Sequence, residues 1–217
     1  TESEKQKSGL SASVKDGAKN VDPSKPVTVE TTGKLKSVTM TNEMGVEVKE
    51  KLSKDAKTWS TAEDLGYNHT YSIVASDVDG NKKKLSFSTP QAAGVAEVSL
   101  SPIPDSEVGV GQVIGVNFGV PITDRKAAEK TITVTTNPEV KGAFYWVNNQ
   151  EVRWRPKEYW EPGTKVEVKV DQYGKDLGGG IYGGENAKTN FTIGDRTVAI
   201  IDNATKTMKV FKNKKFL

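Results

Sequence analysis

The nineteen residues from Gly142 to Trp160, GAFYWVNNQEVRWRPKEYW, constrain the fold more than any other stretch. They hold three of the four tryptophans, two tyrosines and a phenylalanine. Two alternating runs, AFYWV and EVRWR, flank a polar Asn148-Asn149-Gln150 turn, the pattern of a β-hairpin. Burial decides its register. A two-residue loop at Asn148-Asn149 would set Phe144 and Trp146 opposite Arg153 and Glu151. A three-residue loop through Gln150 pairs Trp146 with Val152 and Phe144 with Trp154, and only this choice gathers the apolar side chains on one face. That face is expected to be a domain core. Tyr145, Arg153 and Arg155 share the other face, where an arginine can stack on the tyrosine ring. The outer face is the candidate inter-domain or ligand contact.

Short alternating segments with closely spaced turn signals continue on both sides, without helical periodicity. Pro26 to Thr32, Leu35 to Thr41, Val46 to Leu52, Thr58 to Ser60, Thr70 to Ala75 and Lys84 to Thr89 read as strands, with Asp79-Gly80 as a hairpin signal. About seven strands in about eighty residues is the pattern of an immunoglobulin-like sandwich. Pro90 to Gly94 reads as a linker. Beyond it, Val95 to Ser101, Gln112 to Phe118, Thr131 to Thr136, Lys165 to Val170 and Lys188 to Thr192 read as strands around the aromatic hairpin. Asp124 to Lys130 is one helical turn or two, capped by Thr123 or Asp124. The fold expected is all-β: a disordered tail over 1–9, an immunoglobulin-like domain over 10–92 and a second over 93–193. Over 194–217 a hairpin of Thr197 to Asp202 and Lys206 to Phe211 is expected to begin a truncated third domain.

The two sandwiches read as copies of one unit. At a constant offset of 95, Trp59 falls on Trp154, Leu65 on Trp160, Asn68 on Gly163, Tyr71 on Val166 and Ile73 on Val168. In each copy a Trp-bearing strand leads to a turn with Asn or Gly, where positive φ is easy, and then to an alternating strand. Tyr71 stands where a tyrosine corner would tie its strand to a nearby loop.

Composition excludes several chemistries. The chain has no cysteine and one histidine, so disulfides, thiolate metal sites, a nucleophilic thiol and a multi-histidine metal site are absent. No Asp-x-Asp-x-Asp calcium loop is present, and no metal or cofactor is expected. His69 is read as an exposed turn residue without a partner to make it a base or ligand. A net charge of +3 without a basic stripe gives no case for nucleic acid. Gly174 to Glu185, GKDLGGGIYGGE, has five glycines between 178 and 184 but not the phosphate-loop order. It reads as a mobile hairpin tip, or else as a flap whose Ile181 and Tyr182 dock on a neighbouring domain. Asp171, Asp176 and Glu185 near it read as solvated surface carboxylates rather than a glycosidase pair.

The stretch TTNPEVKGAFYWVNNQEVRWRPKEYWEPGTKVEVKV, the DLGGGIYGG loop with the NFTIGD after it, and TWSTAEDLGY followed by TYSI resemble the actinobacterial L,D-transpeptidases with two N-terminal immunoglobulin-like domains. The resemblance implies an exported, membrane-anchored cell-envelope protein. It also implies a further domain that cross-links peptidoglycan stem peptides through a cysteine acyl-enzyme. The family's His and Ser/Thr-His-Gly-Cys motif has no counterpart here, so no catalytic residue carries over. The expectation is therefore a monomeric, non-catalytic stalk. Its partners would be the catalytic domain of the same polypeptide and peptidoglycan, with membrane contact only through an anchor before Thr1. The alternative is a stand-alone module binding cell-wall polymer through exposed aromatic rings.

Overall fold

The computed structural model describes residues 9–217. The tail expected over 1–9 lies outside the described residues except for Gly9. The chain divides into two compact units, one ending at Ala92 and the other beginning at Ala93.

In the first unit the strands are β1 (Leu10–Ala12), β2 (Thr28–Thr31), β3 (Leu35–Asn42), β4 (Glu50–Leu52), β5 (Thr58–Thr61), β6 (Thr70–Asp77) and β7 (Lys82–Ser88). They form two sheets, β1-β2-β5-β4 and β3-β6-β7. Alternation decides which side chains go inward. Along β6, Tyr71, Ile73 and Ala75 are buried while Thr70 and Val74 are exposed. With Val29, Met40, Trp59, Leu65, Leu85 and Phe87 they make one core shared by both sheets. Gly17 to Val21 runs parallel to the end of β7: Gly17 N donates to Ser86 O (2.7 Å) and Ser88 N to Ala18 O (2.9 Å). The strand expected from Val46 begins only at Glu50. The run splits between the sheets: Val46 O accepts from Asn42 N and Val48 N donates to Met40 O (3.0 Å each) at the end of β3, whereas Glu50 to Leu52 pair with β5.

Tyr71 forms the expected corner, its hydroxyl accepting from Gly66 N at 3.0 Å. His69 departs from the sequence reading, because it does have a partner. Its Nδ1 lies 2.9 Å from Glu43 Oε1, and the same carboxylate accepts from Thr70 N. A contact across 26 residues of sequence is invisible to local pattern.

Asp77 is buried and joins the two sheets. Its carboxylate accepts from Asn81 Nδ2 (2.8 Å), Asn81 N (2.9 Å), Thr31 Oγ1 (3.0 Å) and Asp79 N (3.1 Å). These bonds, the Asn81 side chain's above all, hold its pKa below the ordinary aspartate range. A carboxyl with a depressed folded-state pKa stabilises the fold above its unfolded value and loses that contribution as pH falls through the folded one. Stability of the first unit should therefore fall below about pH 4, and Asp77→Asn should flatten that part of the profile. Urea unfolding across the acid range reads this; equal slopes for both proteins would contradict it.

The second unit contains β8 (Gly94–Ala96), β9 (Ser99–Ser101), β10 (Ser106–Val108), β11 (Ile114–Asn117), α1 (Arg125–Lys130), β12 (Ile132–Asn137) and β13 (Gly142–Trp146). It continues with β14 (Glu151–Pro156), β15 (Lys165–Val170), β16 (Ile181–Gly183) and β17 (Ala187–Ile193). Sheets β13-β14-β11-β9 and β10-β17-β15-β12 enclose a core that includes Ile114, Val116, Phe118, Trp154, Trp160, Val168 and Phe191. Asp124 caps α1, its Oδ1 accepting from Ala127 N at 2.9 Å. Two pairings are parallel, β10 with β17 and β8 with β16.

The repeat is visible in matched hydrogen bonds. Leu65 N donates to Pro23 O and Trp160 N to Val110 O, both at 2.9 Å. Thr89 N donates to His69 O as Ile193 N does to Thr164 O. Tyr71 faces Phe87 across β6 and β7, and Val166 faces Phe191 across β15 and β17. Asn68 and Gly163 both take positive φ, 61° and 82°.

The last strands, β18 (Thr197–Asp202), β19 (Thr207–Lys212) and β20 (Lys215–Phe216), form a small antiparallel sheet. It joins the rest of the second unit where Gly194 N donates to Val108 O (2.9 Å), where Val198 packs on the core, and where the Arg196 guanidinium lies 5.7 Å from the Tyr159 ring centre. Ile200, Ile201, Met208 and Phe216 are exposed.

Candidate functional site

The aromatic hairpin has the register that burial requires. Trp146 pairs with Val152, Tyr145 with Arg153 and Phe144 with Trp154. Val152 and Trp154 are buried, and Phe144 and Trp146 are half-buried against the same core. Gly142 has to be glycine, since a Cβ there would stand 2.5 Å from Arg155 O and closer still to the Trp154 ring. The short turn closes because Asn148 Oδ1 accepts from both Gln150 N and Glu151 N (2.8 Å each).

Tyr145, Arg153 and Arg155 share the outer face, but among the described residues no arginine is found stacked on Tyr145. Arg153 instead donates through Nε to Glu151 Oε1 (2.7 Å); that bond first, then one with Tyr145, raises its pKa. An ion pair with a defined partner two residues away outcompetes stacking at an exposed ring. Arginine–aromatic contact occurs one element away, where Arg125 of α1 lies 5.0 Å from the centre of the Trp146 ring. Trp146 Nε1 also donates to Glu129 Oε1 at 2.8 Å. With Trp154 and Trp160 buried and Trp146 covered by α1, the most exposed aromatic rings in this stretch are Tyr145 and Tyr159, at 39% and 59%.

Tyr145 and Arg155 line an open groove of ≈ 800 Å³, which sequence reasoning left undescribed. Phe144 and Val113 supply apolar wall, and Lys141 and Lys157 add two cations. The signal was available: Lys141 and Lys157 extend the outward-facing parity of Tyr145–Arg153 and Ala143–Arg155 by one more pair. Lys157 N donates to Lys141 O at 3.4 Å. Lys141, Arg155 and Lys157 form no ion pair among the described residues.

Ile181 and Tyr182 lie elsewhere, in the β8–β16 pair. The glycine-rich loop is hydrogen-bonded along its length to the rest of the unit instead of standing free as a hairpin tip. Leu177 is fully buried, its O accepting from Asp124 N (3.1 Å) and its N donating to Ile181 O (2.8 Å). Gly180 O accepts from Ala93 N (2.9 Å), Gly183 N donates to Lys175 O (2.9 Å) and Gly184 N to Ala96 O (2.9 Å). Beneath them the buried Gln172 donates through Nε2 to Ala96 O (2.9 Å) and Glu185 O (3.0 Å). Ile181 packs on the core of its own unit. Tyr182 is half-buried, and burial, then the charge of Asp176, raises its pKa. Asp176 caps a turn, accepting from Gly178 N at 2.8 Å.

The sequence matches the family described as bacterial Ig domain over residues 18–176. It is 46% identical over 208 residues to L,D-transpeptidase 2 of Mycobacterium tuberculosis, covering 94% of this chain and 51% of that protein. It is 33% identical over 192 residues to L,D-transpeptidase 5 of the same species, covering 84% of this chain and 43% of the other. The chain thus spans about half the length of these curated relatives. A solved two-domain structure, Dpr2 Ig1-Ig2 in complex with DIP-Theta Ig1-Ig3, matches with a TM-score of 0.51 at 10% identity, covering 85% of this chain and 98% of its own. That likeness concerns the fold alone.

Proposed function

Since the chain belongs to the bacterial Ig domain family and is homologous to mycobacterial L,D-transpeptidases, we propose that these residues are the non-catalytic spacer of a peptidoglycan L,D-transpeptidase of the cell envelope. One observation carries the reading: a chain that aligns over 94% of its length with such an enzyme holds no cysteine. Covalent acyl transfer needs a nucleophile beside a base. The ring of the lone His69 sits on Glu43, and the Thr89 hydroxyl beside it is bonded to the His69 backbone. The spacer sets a catalytic domain at a distance from its membrane anchor, outside the cytoplasm and within reach of peptidoglycan. The exposed apolar side chains of β18 to β20 support a packing surface for that domain, and Tyr145, Arg153, Arg155 and Tyr182 are candidate contacts beside them. Ile181 contributes through the core beneath.

The test has two parts. This chain, incubated with a carbapenem or an acyl-donor tetrapeptide, should keep its intact mass and release no D-alanine. In the complete enzyme, removal of residues 10–92 should leave turnover of a small soluble donor unchanged and lower cross-link formation in intact sacculi. Acylation of this chain, or equal loss in both assays, would sink the reading.

A further inference from the structure

β13 is the edge strand of its sheet, with no strand paired beyond it among the described residues. Val147 N donates to Glu151 O (3.0 Å) and Lys157 N to Lys141 O (3.4 Å), so the odd-numbered residues direct their backbone groups toward β14. Antiparallel pairing alternates. Gly142, Phe144 and Trp146 therefore turn their N–H and C=O groups to the open side. The groove lies along this edge, and Lys141, Arg155 and Lys157 stand over its outer face without a carboxylate among its lining residues. Phe144 supplies apolar surface on the other face.

We infer that the edge of β13 binds an extended, acidic peptide by strand addition. The main chain of the peptide would pair with Gly142 and Phe144. Its carboxylates, at alternate positions, would meet the three cations, and the intervening apolar side chains would lie beside Phe144. Charge selects this occupant. A second copy of the chain would set two cationic faces side by side, whereas an acidic strand complements one. Exposed edges are usually blunted by charge of one sign, and the same charge recruits a strand of the opposite sign. The inference competes with the spacer reading at Tyr145 and Arg155, which cannot serve a catalytic domain and the peptide at once.

The probe is acetyl-Glu-Val-Glu-Val-Glu-amide, titrated into the whole ¹⁵N-labelled chain. Amide shifts should concentrate at Gly142–Trp146 and weaken with salt. The Arg155→Gln/Lys157→Gln variant, both sites exposed, should bind at least about tenfold more weakly while its thermal unfolding stays unchanged. Alternate N-methylation of the peptide should abolish binding, because it removes the main-chain donors but no charge. Absence of shifts at millimolar peptide, or equal binding of the Lys-Val-Lys-Val-Lys analogue or the N-methylated one, overturns the inference. Equal binding of polygalacturonate would also overturn it, by showing attraction of charge without strand pairing. So would concentration-dependent self-association through the same amides.

Discussion

Trp160→Ala is expected to lower the unfolding free energy of the second unit by about 3–5 kcal/mol, the range for emptying a large aromatic site in a packed core. The ring is 1% exposed. It packs against Trp154 at a centroid separation of 5.6 Å and edge-on against Phe191 at 6.4 Å. Two losses combine. The cavity left by an indole cannot close, because Trp154 and Phe191 are held by strands of opposite sheets. Gln112 O, which accepts from the indole Nε1 at 2.7 Å, also loses its partner. Urea unfolding followed by far-ultraviolet circular dichroism measures the change without relying on tryptophan emission. Tyr159→Ala, at the neighbouring exposed position, serves as control and should stay within about 0.5 kcal/mol. A loss below about 1 kcal/mol for Trp160→Ala would mean that the aromatic cluster collapses into the space and contributes little.

Gly183→Ala should cost about 3 kcal/mol or more, although it adds a single methyl group. A Cβ at this position would overlap Gln172 O and its carbonyl carbon. Backbone cannot rotate away as a side chain can, so relief requires β16 to leave β8 or Gln172 to leave its pocket. Gln172 is wholly buried and holds Ala96 O and Glu185 O, so either movement strands polar groups. The conformation at Gly183 itself is ordinary, which makes close approach the whole effect. Gly163→Ala provides the contrast: φ is +82° there, but nothing stands within 4 Å, so its cost is conformational and should be about 1 kcal/mol. Chemical denaturation of the two variants side by side separates the causes, and equal losses would show that no backbone clash occurs at 183.

The hairpin register was legible because only one pairing buries Phe144, Trp146, Val152 and Trp154 together. The repeat was legible because turn chemistry is local: Asn68 and Gly163 satisfy the same backbone demand. The glycine-rich loop misled for a physical reason. Glycine permits both freedom and close packing, and composition does not say which is used. At Gly183 it is packing, against Gln172 O, while Gly178 uses both, with a φ of +86° and a close approach to Asp124 N, a group distant in sequence. Strands β8, β10 and β16 are three residues each and have no period to read. Their partners lie about eighty residues away, and parallel pairing leaves no hairpin signal. Of the outward candidates, Tyr145, Arg153 and Arg155 were legible from parity. Lys141 and Lys157 lie at the ends of the aromatic run, where a lysine reads as ordinary solvated surface, and the partner of Ile181 within its own unit, Gly94, is too far away in sequence to leave a local signal.

In both units the entering segment lies parallel to a strand near the exit: Gly17 to Val21 beside β7, and β8 and β10 beside β16 and β17. When a chain is pulled from its two ends, such a pairing slides along its length instead of unzipping. All of its hydrogen bonds then bear the tension at once and fail together, so the resistance to extension far exceeds what any one of them supplies. A unit built this way keeps its length until a threshold force is reached.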